Sequence, residues 1–305
     1  MTPVTSVQDP IKSVLAAHRA WLENPATGHR ADLTGHTLNE AHLQNSTLRK
    51  AMLGGATFLD ANLAQADLSG AALERADLQR ANLAGADLSL TTLTGADFAG
   101  AFLQGANLSE ASGGHVNFRR AKLDGARFLD VSLQNACFQD VKAPGSSFHQ
   151  CRLYEVDFRD GDLIGAQFYH ARLQHVDFTG IQANASNFNG AKLDHCDFTR
   201  ADLSGAKLAR TEMIQCTLRH TRLTNCDFRG ARLRGGEFGG AVLAGARFLD
   251  SQLTMVDFRG ADLKGARELT QEQLMQSMTD SGTTLPNGSH GPFMRYSGAE
   301  KPRVA

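Results

Sequence analysis

Leu or Phe stands at nearly every fifth position of this chain from Leu33 to Leu263, with a small residue two places before it. The segments A-D-L-T-G at 31–35, A-N-L-A-Q at 61–65, A-D-L-S-G at 66–70, A-D-L-Q-R at 76–80 and A-N-L-A-G at 81–85 show the unit. Of 47 consecutive centres, 28 are Leu and 15 are Phe, which leaves only Gly113, Ala143, Ala183 and Met213 as exceptions. The small slot is mostly Ala, otherwise Ser, Thr, Val, Cys or Gly, and only His36 and Ile181 are bulky there. No insertion or deletion breaks the register.

A period of five suits neither an α-helix, at 3.6, nor an uninterrupted strand, at 2.0. Within one unit, however, the small residue and the Leu or Phe are two apart, as on one face of a strand. The chain must then turn before the next unit. Strand, turn and strand in succession wind into a coil that takes the small and large apolar positions inside. The Asp or Asn between them and the two residues after the centre face outward.

A-(D/N)-L-x-x units from 31 to 265 resemble the pentapeptide-repeat family. The resemblance implies an all-β solenoid: a right-handed, quadrilateral, parallel β-helix in which four units close one coil and residues twenty apart stack. About twelve coils spaced by roughly 4.8 Å would make a rod about 55 Å long. Two features agree with a twenty-residue repeat. Gly recurs at 85, 105, 125, 145, 165, 205, 245 and 265, interrupted by Ala185 and Asn225. One corner of the coil is therefore expected to need a positive φ, which Gly accepts and Asn tolerates. Phe recurs every ten residues from Phe118 to Phe198, which places two Phe columns on opposite sides of the bore. Interior packing accounts for those columns without a ligand.

Both ends of an open solenoid need covering. Residues 1–30 are expected to form a helical cap, with Asp9 as N-cap and Pro10 in the first turn. Ile11, Val14, Leu15, His18, Trp21 and Leu22 line one face of that helix, and Trp21 is expected to pack over the first coil. At the other end, 266–286 should hold a capping helix begun by a Thr270–Gln273 capping box, stapled by Leu269 and Leu274 and stopped at Gly282. Its apolar face, with Met275 and Met278, is expected to cover the last coil or to meet a second copy in a homodimer. From 287 to 305 the composition suggests a disordered tail.

Charge is balanced, with 31 Lys and Arg against 32 Asp and Glu. A chain-wide basic surface for direct nucleic-acid binding is therefore absent. The first ten residues do not read as a signal peptide, and no apolar run is long enough to cross a membrane. A cytoplasmic, bacterial protein is expected. The five Cys lack C-x-x-C spacing. Cys151, Cys196, Cys216 and Cys226 occupy the small inward slot as apolar filler, whereas Cys137 falls outward. His115, His175 and His195 share one outward column, with Asp194 beside the last, but a flat face offers divergent ligands. No metal or cofactor site and no nucleophile–base pair is read, so catalysis is not expected.

The remaining candidates are surfaces for a protein partner. Asp77, Asp97, Asp157, Asp177, Asp197 and Asp257, with Glu237, share one outward column. The family resemblance implies an alternative here, a DNA-mimicking binder of gyrase or topoisomerase that protects it from quinolone-type poisons. Over its outward positions this face carries eleven carboxylates and seven Arg, a net charge of −4. Duplex DNA of the expected length would carry roughly thirty charges, and Arg119, Arg159, Arg219 and Arg259 would screen the column. The leading reading is a non-enzymatic scaffold that docks a partner on outward apolar residues. Leu129, Tyr169 and Leu249 share one column and Tyr154 and Ile214 another, with Leu59, Leu90 and Ile164 further candidates.

Overall fold

A computed structural model gives the structure of residues 8–302. The chain divides into two compact units, Met1–Ser146 and Ser147–Ala305. In the first, α1 (Gln8–Glu23) precedes short strands β1 (Ser112–Gly114) and β2 (Ser132–Gln134), which pair in parallel with Gly113 opposite Leu133. In the second, β3 (Arg152–Tyr154), β4 (Arg172–Gln174), β5 (Lys192–Asp194), β6 (Glu212–Ile214), β7 (Arg232–Arg234) and β8 (Gln252–Thr254) pair in parallel, each with the next. The short helix α2 (Gln271–Met275) follows. Single-residue bridges continue the pattern: Asp32↔Met52, Thr37↔Thr57, His42↔Asn62 and Thr47↔Asp67 open four ladders, each advancing by twenty residues. This is a parallel β-solenoid, with strands recurring over about seven turns between Ser112 and Thr254.

The five-residue unit follows from where its backbone N–H groups go, since a buried donor without an acceptor is costly. In the unit that begins at Ala61, the N–H of Asn62 donates back to Ala41 and that of Leu63 forward to Asn82. The N–H of Gln65 donates to Ala84, and that of Ala66 closes the turn onto Leu63. One donor is left, on Ala64, and the side-chain Oδ1 of Asn62 accepts it at 3.2 Å. Asp or Asn at the second slot is thus an Asx cap on its own turn. At two slots without such a cap, Thr57 and Lys207, a side chain of the preceding turn substitutes: Asn39 Oδ1 accepts from Leu59, and Asn189 Oδ1 from Ala209.

The turn also requires a positive φ at its last residue. All fifth-slot residues from Gly35 to Gly265 have it, not those of one corner alone. None of them is β-branched, and several are the Asn, Asp and His that tolerate this region best. The expectation of a single Gly-requiring corner is corrected accordingly. The outward His115, His170, His175, His195 and His220 are all fifth-slot residues, which gives their positions a backbone reason.

The Leu, Phe and small slots are buried almost without exception. In the first unit Phe118 stacks between Phe98 at 5.0 Å and Phe138 at 4.7 Å and meets Phe128 edge-on at 5.9 Å. In the second, Phe158, Phe178 and Phe198 form one stack and Phe148, Phe168 and Phe188 another, with edge contacts between the two. Offset stacks along a column and edge contacts across the bore are the two arrangements aromatic quadrupoles favour. Gly113 replaces a large centre because a Cβ there would lie 2.8 Å from the N of Thr94.

Helix α1 is fastened by His18, which is fully buried. Its Nδ1 accepts the N–H of Ala31 at 3.0 Å, so Nε2 carries the proton and donates to the carbonyl of Arg49 at 3.0 Å. Burial holds this imidazole below its ordinary pKa. Trp21 stacks on His18 at 5.6 Å and is half-buried. Gly28 lets the chain return against the helix, since a Cβ there would lie 2.2 Å from the carbonyl oxygen of Ala17. The chain is already helical at Gln8, so Asp9 lies inside the first turn instead of capping it. The segment read for a signal peptide lies outside the described residues up to position 7.

At the other end the Thr270–Gln273 capping box forms as expected, and Leu269 and Leu274 are buried. The helix is shorter than expected: it ends at Met275 with Gln276 as C-cap, well before Gly282. The chain leaves the helix to rejoin the ladder, the N–H of Met255 donating to Gln276 and that of Met278 to Val256. The Gln273 amide docks α2 beside β8 by donating to the carbonyls of Phe248, 3.1 Å, and Ser251, 2.8 Å. Beyond it Met278 and Thr284 return to strand pairing, opposite Asp257 and Asp262. The tail expected to be disordered is folded from Asn287 to Pro302. Thr284 pairs antiparallel with His290, Phe293 and Ala299 are buried, and Asn287 donates to the carbonyl of Ala299. Those apolar residues are too few to reveal a packed segment by periodicity; it is held by contacts with the final turn. Residues 303–305 lie outside the described part.

Candidate interaction surface

The acidic residues do stack. In the first unit Asp77 is bridged to Asp97 and Asp97 to Asn117. In the second, Asp157, Asp177 and Asp197 follow one another, then Thr217, Glu237 and Asp257. Their oxygens, however, are largely engaged within the protein. Oδ1 accepts the N–H two residues on at Gln79, Ala99, Arg159, Thr179, Thr199 and Arg259, at 2.8–3.1 Å. Arg159 also pairs with Asp157 at 2.6 Å and Asp177 at 3.5 Å, Arg219 with Glu237 at 2.9 Å and Arg259 with Asp257 at 2.7 Å. The Arg259 guanidinium beside Asp257 holds that carboxyl below its usual range. Asp177 and Glu237 keep the most open carboxylates among the paired members, with side chains 41% and 46% exposed, against 19% for Asp257.

Of the apolar candidates, Leu129 in the first unit and Tyr154, Tyr169 and Leu249 in the second are exposed, as are Leu90 and Ile164. Ile214 is half-buried because Asp194 and Arg234 flank it in the adjacent strands, and Leu59 is half-buried too. Histidines border both tyrosines. Tyr169 lies 6.1 Å from His149 and 4.0 Å from His170, and Tyr154 meets His175 edge-on at 5.8 Å. His175 stacks on His195, whose Nδ1 is 2.7 Å from Asp194. Glu155 pushes the Tyr154 phenol above its ordinary pKa.

Sequence reasoning passed over two groups. Phe102 occupies a second slot and is exposed under the Lys122 ammonium, 4.7 Å from its ring centre. In the second unit Arg152, Arg172, Lys192, Glu212 and Arg232 form one outward column, in register across β3–β7. The twenty-residue spacing would have found that column had it been applied to cations as well as to Asp.

The five cysteines are free thiols. Burial raises Cys196 well above its ordinary pKa and pushes Cys226 up to about 12, so neither is a thiolate near neutral pH. Among the described residues no three His, Cys, Asp or Glu side chains are grouped to hold a metal ion, and no helix is long and apolar enough to cross a membrane.

A five-residue unit repeated without interruption and wound into a parallel β-solenoid defines a solenoid repeat protein. The chain belongs to the pentapeptide-repeat family: overlapping stretches within 29–113 and 186–265 match Pentapeptide repeats (8 copies), and residues 114–188 match the Pentapeptide repeat region. No curated protein matches the sequence significantly. Among solved structures, HetL, a pentapeptide repeat protein involved in heterocyst differentiation regulation in the cyanobacterium Nostoc, has a TM-score of 0.58 at 24% identity. The match covers 88% of this chain and 97% of HetL, and it is a likeness of fold. QnrB1, a plasmid-mediated fluoroquinolone resistance protein, is 23% identical over 70% of this chain and 89% of its own, with a TM-score of 0.30. A pentapeptide repeat protein of the Arabidopsis thaliana thylakoid lumen is 29% identical over 38% of this chain and 74% of its own, with a TM-score of 0.28. The last two superpose too loosely to bear on function.

Proposed function

We propose that this chain is a non-enzymatic, cytoplasmic scaffold that presents a rigid β-helix surface to a protein partner. The observation that carries the reading is the exposure of Tyr154 and Tyr169 on the second unit, 38% and 44%, each with a histidine ring against it. Aromatic side chains with a polar tip are the residues that interfaces favour. The ladder holds them in a fixed array, so little ordering opposes binding. An uninterrupted register also leaves no inserted loop, the usual carrier of catalytic groups. The four bridge ladders support a right-handed, four-sided helix of about twelve coils. Exposed Met275 and Met278 support contact with a second copy through the C-terminal segment.

Comparing the proteins retained by the immobilised wild-type chain and by a Tyr154→Ala/Tyr169→Ala double variant tests the reading. A partner held by the first and lost by the second is expected. Identical retention by both would remove these tyrosines from the interface.

The open carboxylates of Asp177 and Glu237 favour a second reading, a DNA-mimicking binder of gyrase or topoisomerase. The engagement of the column with its own turns and arginines weighs against it. Purified gyrase, assayed for supercoiling with and without a fluoroquinolone, separates the two. Protection by the wild type that disappears when Asp157, Asp177 and Asp197 become Asn would support mimicry; no effect leaves the scaffold reading.

A further inference from the structure

On the second unit, a groove of about 340 Å³ opens where the fifth-slot column reads Gly190, Arg210, Gly230. The two glycines have positive φ and no side chain; the His170 ring leans over Gly190 and the stem of Arg210 over Gly230, and the groove runs beside them. Lys192, Glu212 and Arg232, consecutive members of the column noted above, form the other wall. Three cations therefore surround one small cleft against a single carboxylate. Glu212 pairs with Lys192 at 3.4 Å, whereas neither Arg210 nor Arg232 forms an ion pair among the described residues. Arg172 precedes Lys192 in the ladder and adds positive potential.

We propose that this groove binds the phosphate group of a small phosphate ester. Two guanidinium groups without a carboxylate partner are suited to bidentate recognition of phosphate oxygens, and Lys192 adds a point charge. These backbone groups and Thr211 offer a ligand no spare donor: the N–H groups of Lys192, Glu212 and Arg232 donate to Ala171, Ala191 and Thr211, and the Thr211 hydroxyl donates to Leu208. Recognition thus rests on the three cationic side chains. A monocarboxylate would have to share them with Glu212, whereas a group bearing close to two negative charges outcompetes it. The volume lies near the lower end for ligand pockets, which suits a small molecule better than a long polymer.

Calorimetric titration of the full chain with inorganic pyrophosphate at low salt tests the site. Arg210→Gln and Arg232→Gln should each weaken binding by about tenfold. Glu212→Gln should tighten it, an effect that a merely structural role for this residue would not produce. Arg200→Gln, a change of the same charge outside the groove, should leave the affinity unchanged. Absence of binding, equal weakening by Arg200→Gln, or binding of an oligonucleotide without affinity for pyrophosphate would overturn the proposal. Vesicles containing phosphatidic acid separate the two sources of the group: recruitment that pyrophosphate reverses marks a lipid phosphate, and pyrophosphate binding without recruitment marks a soluble ester.

Discussion

The Oδ1 of Asp197 accepts both the backbone N–H of Thr199, at 2.8 Å, and its hydroxyl, at 2.6 Å. A carboxylate that a reading of charge would assign to a partner is therefore first a fastener of its own turn. Asp197→Asn keeps the acceptor and should leave thermal stability nearly unchanged. Asp197→Ala removes it and should cost about 1 kcal/mol, read as a lower denaturation midpoint. Equal loss in both variants would mean that charge, and not the turn bond, is what matters at this slot.

Leu90 sits at φ 60° with its side chain largely in solvent, so it bears the strain of a left-handed conformation with little burial in return. Leu90→Gly should stabilise the chain by about 0.5–1 kcal/mol, the relief of strain less the added freedom of the unfolded chain. Leu90→Val should destabilise it, because β-branching is least tolerated there. Thermal melting of the two variants beside the wild type checks both signs.

Phe158 stacks on Phe178 at 5.2 Å and meets Phe168 edge-on, wholly buried. Phe158→Ala should cost about 3–5 kcal/mol by opening a cavity in the stack. Its outward neighbour Arg159 has a half-exposed side chain that pairs with Asp157 and Asp177, and Arg159→Ala should cost below about 1 kcal/mol. Denaturant titration of the two variants compares them directly.

Protonating His18 places a proton on Nδ1, where the N–H of Ala31 already points. Its folded-state pKa lies below the ordinary 6.5, chiefly through burial, so the unfolded chain takes up the proton first as pH falls. The stability from His18 is therefore complete above about pH 6.5 and declines as pH drops below it, until the folded state also protonates. Melting temperatures of wild type and His18→Gln from pH 8 to pH 5 (roughly the range over which imidazole titrates) should converge as pH falls. A constant difference would mean that the helix is held by packing alone.

Much of this architecture is legible in the sequence. The small and large apolar slots had to face inward because they repeat in step, and Thr270, Gln273, Leu269 and Leu274 announced the C-terminal cap by local spacing. The acidic column and the exposed Tyr154, Tyr169, Leu129 and Leu249 also followed from the register. Ile214 did not, because its exposure depends on the neighbours in two other strands. The His18 bonds, the short α2 and the folded segment after Asn287 were likewise out of reach, each resting on a partner far away in the chain.

The sequence by itself determined the winding, the core and the outward columns, because a five-residue period restricts which side chains can meet. Only the tertiary structure decided what those outward residues do. Whether Asp197 is a free charge or a turn cap, and whether Arg210 stands beside open space, depends on hydrogen bonds and gaps that arise when one turn is laid against the next. The periodicity specifies which residues share a column, but free energy at the surface is set by the partners each side chain finds there.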